Sequence, residues 1–399
     1  MDNPRPVIRN PKLKFAIAGA GPAGSSLAIR LANLGFETTL IERERFPRQK
    51  LCGEFISPEC FEHFRSLGVL DDMLEAGGER IYETRFFETR GRSVTVPSGW
   101  FGHGDFALSL SRAEMDLRLL NRARDVGVRI LDGTSVISVE QENGWISNLR
   151  TRDDVGNVSG VPADIFIDAT GRSRILAKLA GKGQDRATPS AKPEFVGFKA
   201  HLRDVDLNDG GCEIYSFPGG YAGVSPIENG LFNLCFLLKA ATVRSAGGDA
   251  NQLLRDVVRQ NTRAAVTLSD PSNASEWLAV SVEGFGTKQT SPATNLFTVG
   301  DAAAFIDPFT GSGMVMAMES AAVLADAIAA NTGSTEQIAA NYETAYTRKF
   351  ARRLRMCSLL RRTAFMPNAA TAIVSLLALS TGARRYVARA TRGPASGTS

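Results

Sequence analysis

The sequence predicts an α/β fold in which a parallel sheet with flanking helices is interleaved with an antiparallel sheet and followed by C-terminal helices. Three observations support this fold class. Residues 14–42 follow a strand, helix, strand pattern, residues 194–239 are rich in aromatic and β-branched side chains, and an apolar strand followed by a long helix occurs at residues 296–330. A length of 399 residues allows two or three domains, and the ordinary apolar content of 43% excludes a disordered chain.

The N-terminal pattern predicts a βαβ unit. Residues 14–20 are a short apolar run, residues 22–35 have helical spacing with leucines on one face, and residues 37–42 form a second strand that ends in charge. Because βαβ crossovers are right-handed, the two strands are expected to lie in one parallel sheet.

The motif GAGPAG at residues 19–24 ends the first strand and opens the helix. Gly19 permits a tight turn, Gly21 lets the backbone approach a pyrophosphate, and Gly24 lets the helix pack on the strand. The N–H groups and the dipole of the helix start hold phosphates. Glu42 closes the second strand, where its carboxylate can accept hydrogen bonds from a ribose and would repel a 2′-phosphate. The unit therefore predicts FAD or NAD rather than NADP.

The middle of the chain is predicted to alternate strands with one amphipathic helix. Residues 81–97 read as a hairpin around residues 90–92, and residues 111–126 as an amphipathic helix opened by Ser111 and Glu114 in capping-box spacing. Further strands fill residues 128–168 and 194–239. After the helix predicted at residues 314–330, two more are expected at about 335–365 and 369–392.

These elements predict domains that interleave along the chain. The dinucleotide-binding domain takes residues 12–80, 108–180 and 290–335, and the antiparallel substrate domain takes 81–107 and 181–289. A basic helical segment, 336–399, follows.

A second glycine-containing segment decides between FAD and NAD. TVGDAAA at residues 298–304 puts Asp301 at a strand end, and DPFTGSG at residues 307–313 precedes a helix. Asp301 could bind a ribityl hydroxyl, while the N–H groups of Gly313 and Met314 could stabilise negative charge on a flavin ring. This layout favours FAD.

The chain resembles the FAD-dependent oxidoreductases that include geranylgeranyl reductases, p-hydroxybenzoate-hydroxylase-type monooxygenases and flavin-dependent halogenases. The matching elements are GAGPAG, Glu42, FPRQKLCGEFISP at residues 46–58, the Ser111-Arg112 helix start, DATGRSR at 168–174 and GDAAAFIDPFTGSG at 300–313. They span most of residues 14–330, and the resemblance implies a Rossmann-like FAD-binding domain of the glutathione-reductase type.

The resemblance also implies a set of FAD-binding residues. Glu42 would meet the adenosine ribose, Val136 the adenine through its backbone, and Arg112 the phosphate or ribityl region. The full set is Gly19, Gly21, Pro22, Ala23, Gly24, Glu42, Arg43, Arg112, Val136, Asp301, Pro308, Gly311, Ser312, Gly313 and Met314.

Residues 47–58 look most like geranylgeranyl reductases, in which a K-x-C-G-E-like segment lies beside the flavin. The resemblance makes Cys52 and Glu54 the catalytic candidates. A thiol there could donate a proton or form a compact apolar wall, although a structural role is the commoner one for a single cysteine. For Glu54, hydrogen bonding to the loop backbone is favoured over acid catalysis. Tyr215, Phe217 and Tyr221 could line an apolar substrate pocket, and ordinary strand packing accounts for them equally well.

Two activities stay open on this scaffold. An NAD(P)H-driven monooxygenase that hydroxylates a small hydrophobic or aromatic compound is slightly favoured, because that outcome is common on the fold. The alternative is a carbon–carbon double-bond reductase of the geranylgeranyl reductase type. Halogenation is disfavoured because YAGVSP at residues 221–226 lacks both tryptophans of the halogenase W-x-W-x-I-P element. A non-catalytic flavin-binding assembly factor is the third reading. Without a second nucleotide motif, NAD(P)H would bind transiently, or a partner protein would supply electrons.

The cysteines and histidines indicate the redox state of the compartment and whether a metal site is expected. Five scattered cysteines without a C-x-x-C pair favour a reducing compartment. His63, His103 and His201 lie far apart, so no metal site is predicted and each is expected to be a surface or packing residue. The first thirteen residues lack the apolar core of a signal peptide, and glycines, serines and a proline interrupt the apolar run at residues 15–31. A cytoplasmic location is expected.

The C-terminal segment is strongly basic. Residues 344–399 contain eleven Lys or Arg and no Asp or Glu, whereas the remainder is mildly acidic. Residues 346–365 read as too basic for a core helix, and 370–380 form an apolar stripe. One interpretation is docking on an anionic membrane or an acidic carrier protein. The favoured one is a helix that covers the substrate cavity with its arginines solvated. Nucleic-acid binding is not expected, because no recognition motif accompanies the charge.

Overall fold

The computed structural model describes residues 13–102, 104–181, 193–282, 285–306, 309, 311–331, 333–364, 369–390 and 392. Pro308 and His103, both singled out from the sequence, lie outside this part. The strands are β1 (Lys14–Ala18), β2 (Glu37–Ile41), β3 (Phe55–Ile56), β4 (Glu79–Ile81), β5 (Glu83–Phe87), β6 (Ser93–Pro97), β7 (Ala107–Ser109), β8 (Arg129–Leu131), β9 (Thr134–Glu142), β10 (Trp145–Asp153), β11 (Val158–Pro162), β12 (Ile165–Asp168), β13 (Phe195–Arg203), β14 (Gly211–Phe217), β15 (Gly220–Pro226), β16 (Phe232–Lys239), β17 (Ser272–Asn273), β18 (Leu278–Val282), β19 (Gly286–Thr287), β20 (Leu296–Thr298) and β21 (Ala304–Phe305). The helices are α1 (Pro22–Asn33), α2 (Cys60–Leu67), α3 (Leu70–Leu74), α4 (Arg112–Asp125), α5 (Ile175–Ala180), α6 (Ala240–Ser245), α7 (Ala250–Asp256), α8 (Thr262–Thr267), α9 (Gly313–Ala330), α10 (Thr335–Ala364), α11 (Ala369–Leu379) and α12 (Thr381–Ala390).

The structure confirms the predicted α/β class, and its first layer is a five-stranded parallel sheet in the order β20-β12-β1-β2-β8. Its central strand, β1, is buried on both faces: Phe15 and Ile17 pack among α1, α4 and α9, while Ala16 and Ala18 pack toward the small sheet of β9, β10 and β11. The strands run in one direction, so the loops that follow β1, β2, β12 and β20 meet at a single edge. That edge is where ligands bind in open α/β sheets.

Helix α9 is a core helix. It is long and apolar enough to cross a membrane by length and composition, and two thirds of it is buried within the fold. It packs in the same apolar cluster as α1. Gly300, in the loop before it, has φ +61°, and a Cβ there would lie 2.9 Å from the Cβ of Ala23. The N-terminal and C-terminal parts of the parallel domain are therefore in direct contact.

The second layer is an eight-stranded sheet in the order β17-β13-β16-β15-β14-β5-β6, with β18 also pairing β13. The predicted hairpin is confirmed as β5 and β6, which place Phe87 opposite Ser93. One face of this sheet carries an apolar core under α6, α7 and α8. The other face contacts the loop at residues 47–54 of the parallel domain, which brings the two sheets together at the candidate site.

The expectation that residues 346–365 are too basic for a core helix is wrong. Tyr342, Tyr346 and Phe350 of α10 are buried in the main core. Arg353 is only 2% exposed. Its guanidinium forms ion pairs with Glu319, at 2.7 Å, and with Glu59, at 3.4 Å. A buried cation with two carboxylate partners is compatible with a core position.

The last predicted helix is divided in two. Helix α11 ends at Leu379, and the side chain of Ser380 then accepts the N–H of Ala383, which caps a new helix, α12. Ala388 of α12 packs with Val96 and Phe101. The C-terminal helices thus cover the end of the eight-stranded sheet.

Candidate functional site

The glycine turn after β1 leaves space for a phosphate. Gly19 has φ +101°, and a Cβ there would lie 2.3 Å from the carbonyl oxygen of Ala169. A Cβ on Gly24 would lie 1.8 Å from the carbonyl oxygen of Gly19, so α1 approaches β1 as closely as backbone allows. On Gly21 the nearest atom would be the Nη2 of Arg112, at 3.7 Å. Gly19 and Gly24 are therefore required by the fold, whereas Gly21 faces an opening at the N-terminus of α1.

Glu42 closes β2 beside this turn and is buried. Its Oε2 accepts the N–H of Ala20 at 2.9 Å and a hydrogen bond from Arg48 at 3.3 Å, and its Oε1 accepts the N–H of Glu44 at 3.3 Å. The carboxylate is thus fixed at the edge where the sequence predicts a ribose. Its neighbour Arg43 is exposed and pairs with Glu44 at 3.1 Å.

A chain of charges joins Glu42 to the start of α4. Arg48 binds Asp116 at 2.9 Å, and Asp116 accepts both the Nε and the Nη2 of Arg112, at 2.9 and 2.7 Å. Burial lowers the pKa of Arg112, but the Asp116 carboxylate outweighs it and the net pKa is raised. Arg112 therefore carries a fixed positive charge close to the glycine turn.

Val136 reaches the same edge through β9. The N–H of Thr134, at the start of β9, donates to the carbonyl of Glu42 at 2.8 Å. Val136 follows two residues later, half-buried against the core under the small sheet.

Asp301 and the start of α9 form the other end of the site. Asp301 makes no side-chain hydrogen bond with the described residues, and burial raises the pKa of its carboxyl to about 6, while Arg172 and Arg112 act to lower it. Gly311 has φ +61°, and Ser312 occupies the N-cap position of α9. A Cβ on Gly313 would meet nothing within 4 Å, and Met314 is buried beside it.

These features fit an FAD. The opening at Gly21 suits the pyrophosphate, Asp301 offers acceptor oxygens to ribityl hydroxyls, and the open helix start at Gly313 suits the ring. When bound, FAD would supply the redox chemistry, and the protein would supply orientation and exclusion of water.

Cys52 and Glu54 lie on the loop between these two ends. The half-buried Cys52 is a free thiol, whose Sγ accepts the N–H of Glu54 at 3.4 Å. Glu54 is fully buried with φ +54°. Its Oε1 is bound by Lys199 and by the backbone N–H of Arg112 at 2.8 Å, and its Oε2 lies 2.8 Å from the Nε2 of His201.

The surroundings of Glu54 argue against its predicted catalytic role. Burial alone would raise the pKa of the carboxyl, but the hydrogen bond from His201 and the charge of Lys199 hold it below its usual value. A carboxylate kept ionised by three donors has no proton to give. Glu54 is an anchor of the loop.

Sequence reasoning missed Lys199 and the bond between His201 and Glu54; His201, expected to be a surface or packing residue, is buried. Both side chains lie on the same face of β13 as Gly197 and point to the loop. Phe198 and Ala200 lie on the other face, in the core under α6, α7 and α8. A charged residue and a histidine at alternate positions of an otherwise apolar strand were the available signal.

The three predicted pocket aromatics lie on opposite faces of the sheet. Tyr215 and Phe217 belong to the core under α6, α7 and α8, and the hydroxyl of Tyr215 donates to Glu213 at 2.7 Å. They are therefore removed from the predicted pocket, because side chains on one strand at even spacing share one face. Tyr221, paired with Ser216, lies on the cofactor-facing side and contacts Phe309 edge to face at 5.1 Å.

Comparison with known proteins agrees with this geometry. The sequence profile described as "FAD binding domain" matches residues 12–355. The menaquinone reductase of Mycolicibacterium smegmatis is 25% identical over 374 residues, covering 90% of this chain and 85% of that protein. The tryptophan 2-halogenase of Chondromyces crocatus is 24% identical over 332 residues, with 79% of this chain and 60% of that protein covered. A geranylgeranyl bacteriochlorophyll reductase-like structure from Thermoplasma acidophilum superposes with a TM-score of 0.76 at 21% identity, over 95% and 96% of the two chains, which shows the shared fold.

Proposed function

This chain belongs to the FAD-binding domain family, and from that premise we propose that it is a flavin-dependent reductase of a carbon–carbon double bond in a lipophilic substrate. The observation that carries the proposal is the loop of Cys52 and Glu54, whose sequence looks most like geranylgeranyl reductases. There a free, half-buried thiol lies two residues before Glu54, which accepts the backbone N–H of Arg112 at the start of α4.

Saturation of a double bond requires a hydride at one carbon and a proton at the other. The Cys52 thiol is the protein group proposed to give the proton, and it would regain one from solvent. An apolar wall would keep water from the reacting carbons. It consists of Tyr221, Phe195, Leu237 and Phe305, with Phe285 stacked on Phe305 at 4.9 Å.

Hydroxylation driven by NAD(P)H, the activity slightly favoured from the sequence, is the second candidate, since the same apolar wall suits an aromatic ring. The two activities differ in their need for oxygen. The reductase should oxidise NADH or NADPH without oxygen when menaquinone or a polyprenyl lipid is present, and the product should gain two hydrogens. Turnover that requires oxygen and adds an oxygen atom to the product would reject the reductase in favour of the hydroxylase.

The thiol can be tested separately. Cys52→Ala should lower turnover by about 100-fold if the thiol is the general acid. The matched control is Cys212→Ala, since Cys212 is a free, buried cysteine that packs with Ile81 and Ala107. Equal activity of both variants would remove Cys52 from the mechanism.

We also propose that the C-terminal helices dock this protein on an anionic membrane surface, as a cytoplasmic protein at the membrane periphery. Their outer side chains include Leu376, Leu379 and Tyr386, which are 66%, 84% and 63% exposed. Arg385 and Arg389 are exposed on α12, and no acidic residue follows Glu343. Exposed apolar groups beside solvated arginines favour lipid over an acidic carrier protein.

Co-sedimentation with vesicles tests this docking. Binding should require anionic lipid, weaken at high salt, and fall in Leu379→Ser and in Arg385→Gln/Arg389→Gln. Val155→Ser, which changes an equally exposed residue in another region, should bind like the unmodified protein. Absence of vesicle binding at low salt would reject the membrane-docking proposal. If the protein then bound an acidic carrier protein, that carrier would be the partner of the C-terminal helices.

A further inference from the structure

We infer that Lys199 is a positioning residue that, with His201 and Asn233, fixes the Cys52–Glu54 loop from the antiparallel sheet. The inference rests on hydrogen bonds between two parts of the chain that are far apart in sequence. It does not depend on which substrate the protein reduces or oxidises.

The three donors of the Lys199 ammonium are all taken by one loop. They bind the Oε1 of Gln49 at 3.0 Å, the carbonyl of Lys50 at 3.2 Å and the Oε1 of Glu54. An ammonium has three donors, so the group is saturated, and its side chain is only 2% exposed. Because all three hydrogen bonds of this buried charge are made to residues 49–54, the ammonium holds that segment in one arrangement.

Two neighbours in the sheet extend the contact. His201 meets the second oxygen of Glu54, and Asn233, opposite His201 on β16, donates through its Nδ2 to the carbonyl of Cys52 at 3.2 Å. Lys199, His201 and Asn233 therefore reach both ends of the loop that presents the thiol.

The same anchor reaches the cofactor end of the site. The Oε1 that binds Lys199 also accepts the backbone N–H of Arg112, the first residue of α4. A change at Lys199 is thus expected to alter both the exposure of Cys52 and the surroundings of a bound flavin.

The rate at which iodoacetamide alkylates Cys52 in the FAD-loaded protein, measured by peptide mass spectrometry, reports the position of the loop. The test variant is Lys199→Met/Glu54→Gln, which removes both charges and leaves no buried carboxylate opposite a missing ammonium. We expect alkylation to become about tenfold faster, because the loop opens more often, and the flavin absorption bands to shift. Lys239→Met, on the exposed end of the adjacent strand, should behave like the unmodified protein.

A double variant with the melting temperature, alkylation rate and flavin spectrum of the unmodified protein would overturn the inference. If that variant fails to fold, Lys199→Arg decides. It keeps the charge, but a planar guanidinium cannot bind the three acceptors in the same way, so an intermediate alkylation rate is expected. An unchanged rate in Lys199→Arg would equally overturn a positioning role.

Discussion

The two ends of the cofactor site are built by different means. At the glycine turn, Gly19, Gly24 and Glu42 belong to one contiguous βαβ unit, in which the glycines act through backbone sterics and Glu42 accepts the N–H of Ala20. At the Cys52 loop, Glu54 is held by Lys199 and His201, which lie 145 and 147 residues further along the chain. The glycine turn tolerates almost no added atom, because backbone of its own unit and of Ala169 surrounds it. A long-range buried ion pair tolerates changes in side-chain shape, but the protein loses stability when one of the two charges is removed.

The largest expected effect comes from Gly24→Ala. Its Cβ would overlap the Gly19 carbonyl at 1.8 Å, so we expect the free energy of unfolding of the apoprotein to fall by about 3 kcal/mol or more. Gly21→Ala should leave apoprotein stability almost unchanged, because its Cβ meets only Arg112 at 3.7 Å, yet should weaken FAD binding strongly. Urea unfolding without FAD and flavin titration separate the two. Equal loss of stability in both variants would contradict the assignment of Gly21 to the phosphate.

Long-range ion pairs are tested at Arg353. Arg353→Met removes the buried cation shared by Glu319 and Glu59, which then keep only Lys349 and Arg392, and should cost about 2 kcal/mol in the free energy of unfolding. The adjacent, exposed Arg352→Met should cost less than about 0.5 kcal/mol. Equal stability of the two variants in urea would mean that the buried pair contributes nothing.

Asp301 gives a smaller effect with a defined pH dependence. Burial raises the pKa of its carboxyl from 3.8 to about 6, so between these pH values the folded apoprotein holds a proton that the unfolded chain has released. The corresponding stability is complete below pH 3.8 and is lost as the pH rises through about 6. Asp301→Asn should therefore stabilise the apoprotein by about 1–2 kcal/mol near pH 8, and by almost nothing near pH 4, while weakening FAD binding. Melting temperatures across this range would contradict the prediction if the gain were the same at both ends.

The smallest effect is expected at the start of α4. Ser111→Ala removes the hydroxyl that accepts the N–H of Glu114 at 3.2 Å and should lower the free energy of unfolding by about 1 kcal/mol. Flavin affinity should stay nearly unchanged, since Arg112 keeps its pair with Asp116. A large loss of flavin in this variant, measured by titration, would show that the cap also shapes the site.

The part of the molecule that could be predicted from the sequence is the part fixed by neighbours in the chain. The turn at Gly19, the cap at Ser111 and the hairpin of β5 and β6 each follow from residues within a few positions. The partners of Glu54 and Arg353 could not be derived in this way, because each depends on which strand or helix packs opposite. Tyr215 and Tyr221 show the same limit, since the register of β14 with β15 decides which of them faces the cofactor.

The contact between Gly300 and Ala23 has a consequence for biosynthesis. Strand β20 and the start of α9 complete a site whose other half, the turn at Gly19, emerges from the ribosome first. A nascent chain stalled before residue 296 would present the turn but neither Asp301 nor Gly313, and should stay colourless in the presence of free coenzyme. Most of the polypeptide must therefore be synthesised before the flavin coenzyme can bind.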